Sequence, residues 1–175
     1  MSDIKVAEIK TDTIKNQAGT TVMTVDSTGR LLRPSSTLVA FDVTTVSAGT
    51  ISSGTIPFNT AALNLGGHFN TSTYKFTAPV DGVYEFHARF LCGDGSNNDD
   101  ASGTVKMILD GSTSISEGHF NTTDAWENVK IFRIISLTAN QTIETQMTGS
   151  GNGGYVYANG SGTADYNRFT GKLIG

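Results

Sequence analysis

Apolar residues fall at every second position through the middle of the chain, and that spacing sets the expected architecture. In the stretch GVYEFHARFLC (82–92), Tyr84, Phe86, Ala88, Phe90 and Cys92 share one face, while Glu85, His87 and Arg89 share the other. In 103–111, Val105, Met107 and Leu109 alternate in the same way, and the stretch ends in the turn dipeptide Asp110-Gly111. Residues 141–147 give a milder alternation. Segment ENVKIFRIISL (127–137) is apolar on both faces, as expected when one face packs a core and the other meets a neighbouring subunit or a covering loop. Ile131 and Ile135 are therefore candidate intersubunit residues. Shorter strands are expected at 37–43, 55–58, 74–76 and 168–174. No stretch carries helical spacing for more than about two turns. Seven or eight short strands separated by turns predict an all-β sandwich or barrel.

The N-terminal region has a different texture. Short apolar pulses (Ile4, Val6, Ile9, Ile14, Val22, Val25) are separated by the Gly-terminated turns NQAG (16–19) and DSTG (26–29). So short a segment cannot bury enough apolar surface alone. Disorder and docking on the remainder are alternatives, but pairing with identical copies satisfies both strand edges and apolar faces. Ile14 and Val22 are the candidate contacts. The expected organisation is a 1–36 anchoring or trimerising β segment followed by a 37–175 head domain.

Composition narrows the function classes. Charged residues are 16 % of the 175, glycines number 20, and the net charge is −4. The 12 Lys and Arg are scattered, which argues against nucleic acid as a partner, since phosphate neutralisation needs clustered cations. No apolar run approaches the roughly 20 residues of a membrane-spanning helix, so no membrane insertion is expected. The start, MSDIKVAEIKTD, lacks the apolar core of a signal peptide. Synthesis in a cytoplasm is expected, with any exit by another route such as release within a virus particle. The single cysteine, Cys92, excludes an intrachain disulfide and is expected as a small buried hydrophobe.

Residues 64–90 resemble the signature of the globular head of the complement q subcomponent, a tumour-necrosis-factor-like jelly roll. Asn64, Gly67, Phe69, Asn70, Phe76, Thr77, Pro79, Gly82, Tyr84 and Phe86 stand at the pattern's positions. Ala40-Phe41 matches the family's opening strand, and Phe169, Gly171 and Leu173 match its closing one. The family's late Leu-x-x-Gly-Asp step is replaced by LTANQT (137–142). The segment IKTDTIKNQAGTTVMTVDSTGRLL resembles the N-termini of bacteriophage fibre and other virion proteins. Together these resemblances imply a homotrimeric jelly-roll head on a phage structural protein. Physically, Pro79 ends the preceding strand. Gly82 is expected to reverse the chain through a positive φ, and Tyr84 and Phe86 then enter the core.

Candidate chemistry is sparse. His68 and His119 sit in two copies of GHFN (67–70 and 118–121), expected as Gly-led turns into aromatic strand starts, with a meeting of the two loops as the alternative. Asp94, Ser96, Asn98 and Asp100 alternate like the opening of a calcium loop, without its Gly and terminal Glu. Calcium-bearing heads exist in the resembled family, so calcium is the candidate ion at Asp94 and Asp100, and no other cofactor is expected. Asp81, Glu85, Glu117, Asp124 and Glu127 supply no identifiable hydrolytic pair. The Gly- and Asn-rich 149–169 segment carries Tyr155, Tyr157 and Tyr166, the composition of adaptable recognition loops. Those three and Trp126 are the candidate receptor-binding residues. The expected function is a non-enzymatic tail-fibre or fibre-tip protein of the virion. Its expected partners are copies of itself, other virion proteins through the N-terminus, and a host-surface glycan or protein. A capsid decoration or head-fibre protein, and then a polysaccharide-degrading enzyme, are the alternatives.

Overall fold

The computed structural model describes residues 13–32, 38–95, 100–149, 153–158 and 166–175, with the side chains of Leu31 and Leu32 excepted. Ile4, Val6 and Ile9 thus lie outside the described residues. The chain forms two units, Met1–Leu38 and Val39–Gly175.

The first unit is an antiparallel meander of β1 (Thr13–Lys15), β2 (Thr21–Val25) and β3 (Leu31–Leu32). Its two turns sit where the Gly-terminated motifs place them, with Gly19 at φ 80° and Gly29 at φ 83°. Asp26 organises the second turn. Its Oδ1 accepts from the Thr28 amide at 2.9 Å, the Thr28 hydroxyl at 2.7 Å and the Arg30 amide at 2.9 Å. The Thr28 hydroxyl, followed by the Arg30 amide and guanidinium, holds the Asp26 carboxyl at about 2, against an ordinary 3.8. Because the folded value is depressed, this carboxylate favours the folded turn fully above pH 3.8, and its contribution disappears as pH falls through about 2. A carbon-detected NMR titration of Asp26 is expected to give a midpoint near 2; a midpoint near 3.8 would mean the turn does not form. Ile14 and Val22 remain 42 % and 37 % exposed, so within this unit they are left uncovered.

The second unit is a two-sheet sandwich. Its strands are β4 (Ala40–Thr44), β5 (Thr50–Ile51), β6 (Ser53–Thr55), β7 (Thr60–Leu65), β8 (Phe69–Asn70) and β9 (Lys75–Thr77). The long strands β10 (Gly82–Gly93), β11 (Ala101–Leu109), β12 (Thr113–Thr122), β13 (Trp126–Leu137) and β14 (Thr142–Gly149) follow. The last two are β15 (Tyr155–Tyr157) and β16 (Arg168–Leu173). The first sheet runs β13-β10-β16-β4-β7, with β15 pairing the far end of β10 and β5 flanking β15. The second runs β12-β11-β14-β9-β8, with β6 also on β14. All pairings are antiparallel. The alternation along β10 and β11 falls as expected: Tyr84, Phe86, Phe90, Cys92, Val105 and Met107 are fully buried.

Between the sheets lies a cluster of rings. Phe41 is 4.9 Å from both Phe69 and Phe169, and Phe76 meets Phe86 edge-on at 5.4 Å. Gly171 makes that cluster fit, because a Cβ there would stand 2.6 Å from Phe86 Cδ1 and also strike the Phe41 ring. Gly82 acts similarly, which corrects the expected turn role. Its φ is not positive, and it is small because a Cβ would lie 2.6 Å from Leu173 Cδ1. The Tyr84 hydroxyl donates across this corner to the Val80 carbonyl at 2.8 Å. In the divergent LTANQT step, Asn140 takes φ 72°, a conformation Asn tolerates better than most residues, and donates its amide to Ala78 O at 2.7 Å.

Two further expectations are corrected. Ile56 and Phe58 are fully buried, yet 56–58 lies outside any strand, since Pro57 has no amide to give a ladder. On β13, antiparallel register sets Ile131 opposite Ala88 and Ile135 opposite Tyr84. Directly opposed residues share a face, so these isoleucines belong to the interior rather than to an intersubunit surface. Ile131 is 5 % exposed and Ile135 packs against the core. The outward apolar residues of β13 are instead Phe132 and Ile134, 49 % and 47 % exposed.

Candidate recognition site

The outward face of the first sheet is an ordered series of rungs. Register places Ile134, Glu85, Lys172 and Ala40 in one rung, and Phe132, His87, Thr170 and Asp42 in the next. The third rung is Lys130, Arg89, Arg168 and Thr44. Further along, Asn128 faces Leu91, and finally Trp126 faces Gly93, which on its other side faces Tyr155. Along β13 the outward residues therefore change from apolar (Ile134, Phe132) to cationic (Lys130) to aromatic (Trp126), while the first two rungs also carry Glu85, Lys172, His87 and Asp42.

At the aromatic end the structure brings together all four candidate recognition residues. Trp126 lies 5.1 Å from Tyr157 and 5.8 Å from Tyr155, and Tyr157 lies 5.5 Å from Tyr166. Trp126 comes from the start of β13 and Tyr155 and Tyr157 from β15, joined only through their shared partner β10. The Tyr155 hydroxyl donates to Asp94 O at 2.9 Å, and burial raises its phenol above the ordinary value. Tyr157 and Tyr155 are half-buried, and Tyr166 is exposed. Rings fixed by one another yet open at their edges offer contact area at little entropic cost on binding.

A residue without any sequence signal holds this arrangement. Asn167 is fully buried; its amide donates to Thr45 Oγ1 at 3.0 Å and to the Tyr157 carbonyl at 2.7 Å. Its Oδ1 accepts from the Leu91 amide at 2.9 Å. One side chain thereby ties β10 to β15 and fixes the backbone beside Tyr166. It was missed because one Asn among many in a Gly- and Asn-rich stretch looks like another turn residue.

The remaining candidates disperse. His68 precedes β8 and His119 lies on β12, at opposite edges of the second sheet, so the two GHFN copies do not meet. The first copy does open a strand after Gly67 at φ 73°, but the second lies inside β12. There Gly118 leaves room for Val129 Cγ1 and Ile131 Cγ2, which a Cβ would meet at 2.6 and 2.8 Å. Asp94 and Asp100 flank residues 96–99, so Ser96 and Asn98 lie outside the described residues. Among the described residues no three His, Cys, Asp or Glu side chains gather as a metal site. Glu85 is engaged by His87 at 3.0 Å and Lys172 at 3.2 Å, and Glu117 by the Ser114 hydroxyl at 2.7 Å and Lys106 at 3.4 Å. The Asp81 carboxylate accepts from the Ala139 amide at 2.7 Å. These carboxylates stand in separate local contacts. Cys92 is buried, and desolvation, then the charge of Glu127, pushes its thiol up to about 12. It stays protonated and serves as core packing.

Two antiparallel sheets in this order, closed over a ring-filled core, define a jelly roll of the tumour-necrosis-factor-like class. Residues 40–174 match the C1q domain, and the chain belongs to that family. The globular domain of zebrafish complement 1qA protein shares the fold, with a TM-score of 0.57 and 21 % identity over 79 % of this chain and 98 % of that one. Compared with curated protein sequences, the chain matches none. C1q domains are in general recognition or structural domains rather than enzymes, and they typically assemble as trimers.

Proposed function

We propose that the chain is a non-enzymatic virion protein of a bacteriophage, a trimeric tail-fibre or fibre-tip protein whose C1q head attaches to the host surface. The observation that carries the recognition role is the convergence of Trp126, Tyr155, Tyr157 and Tyr166 on the outward sheet face. The separate N-terminal meander, with Ile14 and Val22 uncovered, suits a segment that grips other virion proteins or its own copies. Trimerisation uses the apolar rungs of Phe132 and Ile134, which leaves the aromatic end for ligand. Three equivalent weak sites on one particle then gain avidity through effective concentration.

The test combines Trp126→Ala with Tyr157→Ala. Labelled intact protein is expected to lose at least tenfold in host-cell binding while its far-ultraviolet circular dichroism is unchanged. Undiminished binding by the folded variant would remove the cluster as the site. Immunogold microscopy of particles is expected to label the tail; label on the capsid would replace the fibre assignment with a decoration protein.

A further inference from the structure

Strand β14 alternates between its two faces, and one residue departs from the burial that alternation sets. Ile143, Thr145 and Met147 are buried toward the core, which puts Glu144 and Gln146 on the outward face of the second sheet. Glu144 is nevertheless only 3 % exposed, and Ile108, opposite it on β11, is buried as well. A carboxylate out of water is costly unless its partners offset the lost hydration.

Two side chains reach this carboxylate. Lys75 Nζ stands 2.9 Å from Glu144 Oε2, close but without the alignment of a hydrogen bond. Gln146 Nε2 donates to Glu144 Oε1 at 2.7 Å. One buried carboxylate thus holds a primary amine at one oxygen and a primary amide at the other. Strand register explains the meeting. Thr77 pairs with Thr142 and Phe76 with Ile143, so the next step along sets Lys75 beside Glu144, with Gln146 on the diagonal. Diagonal neighbours on one face of an antiparallel pair lie about 7–8 Å apart, within reach of long side chains. The place also has a use for a tie. Only those two paired positions join β9 to β14, and β9 in turn carries β8 at the edge of the sheet.

We propose that Lys75 and Gln146 form an isopeptide bond between β9 and β14, with Glu144 moving the protons. Glu144 takes a proton from the Lys75 ammonium, and the freed amine attacks Gln146 Cδ. The Nζ–Cδ bond forms and the Cδ–Nε2 bond breaks. Nζ gives up two of its three protons through Glu144, and the leaving nitrogen carries both away as ammonium. Glu144 ends ionised, as it began, and no oxidant or further reactant is consumed. This bond is independent of the recognition role given above.

Mass spectrometry of the intact, denatured chain tests it. The chain is expected to be lighter than its sequence mass by one ammonia. Trypsin is expected to leave the chain uncut after Lys75 and to release one branched peptide that joins Lys75 to Gln146. Lys75→Arg, which keeps a cation beside Glu144, and Gln146→Ala, which keeps the ion pair, are each expected to restore the full mass with unchanged circular dichroism. Glu144→Gln, folded by the same criterion, is expected to leave the two peptides separate; complete bond formation in it would overturn the part given to Glu144. A parent chain of full mass after prolonged incubation at neutral pH would overturn the bond. Loss of one water instead of ammonia would place the bond on the Glu144 carboxyl and overturn the part given to Gln146. Loss of ammonia without a branched peptide would point to a succinimide at Asn152-Gly153 or Asn159-Gly160 and equally overturn it.

Discussion

Replacing Phe86 by alanine is expected to cost the head about 3–5 kcal/mol, the range for large-to-small changes of buried aromatics, out of a total of about 5–15 kcal/mol. Phe86 is fully buried and its ring touches four others: Phe76 at 5.4 Å, Phe169 at 6.1 Å, Tyr84 at 6.2 Å and Phe41 at 6.3 Å. These rings come from both sheets, so the vacated space lies at the centre of the sandwich. Its walls cannot close in, because β10 is hydrogen-bonded to β13 on one side and to β16 on the other along this stretch. Gly171 sharpens the point, since it is small in order to let the Phe41 and Phe86 rings approach. Urea denaturation followed by intrinsic fluorescence measures the change. A loss below about 1 kcal/mol would mean that the cluster relaxes freely, contrary to a close-packed interior.

How much of this was legible follows from what each pattern can encode. Strand β10 alternates between apolar and charged residues, so its inward face is written in the sequence, as it is on β11. Strand β13 is apolar on both sides, and only its pairing partner decides which side is in. Ile131 and Ile135 were therefore named for the surface when Phe132 and Ile134 hold it. Strand β12 escaped notice because its sequence, TSISEGHFNT, is mostly polar, as suits an edge strand with little to bury. Gly82 was identified as necessary but for the wrong reason, since sequence does not separate a positive φ from a close approach. The recognition residues were legible as residue types: three Tyr in a Gly-rich stretch and a lone Trp. Their convergence was not, because it depends on β13 and β15 both pairing with β10. The cationic rung was invisible for the same reason, its three members being far apart in the chain and united only by sheet order. The family resemblance over 64–90 named the fold correctly because its residues are corner and core positions, which serve packing and are silent on ligand.

Changing Phe132 and Ile134 together to aspartate is expected to raise the concentration at which the proposed trimer dissociates by at least a hundredfold. Both side chains project from the outward face, about half exposed, with no share in the core cluster, so the substitutions leave the sandwich folded. Fully burying such a side chain contributes about 1.5–3 kcal/mol. Six half-exposed side chains in a trimer thus represent about 5–9 kcal/mol, and clustered carboxylates at the same place add repulsion. His87, whose ring lies 4.5 Å from that of Phe132, belongs to the same contact. Sedimentation equilibrium decides the matter: the unmodified chain should run at about three times its 18.5 kDa mass, and the double variant should fall toward one. An unmodified chain that sediments as a monomer at micromolar concentration would overturn the trimer. A double variant that dissociates no more readily than the parent would move the principal contact elsewhere, with Ile14 and Val22 of the N-terminal meander, 42 % and 37 % exposed, the next to be tested. The head face is the stronger expectation, because its apolar residues stand in adjacent rungs on a sheet fixed by a packed core, whereas the described residues of the meander form three short strands.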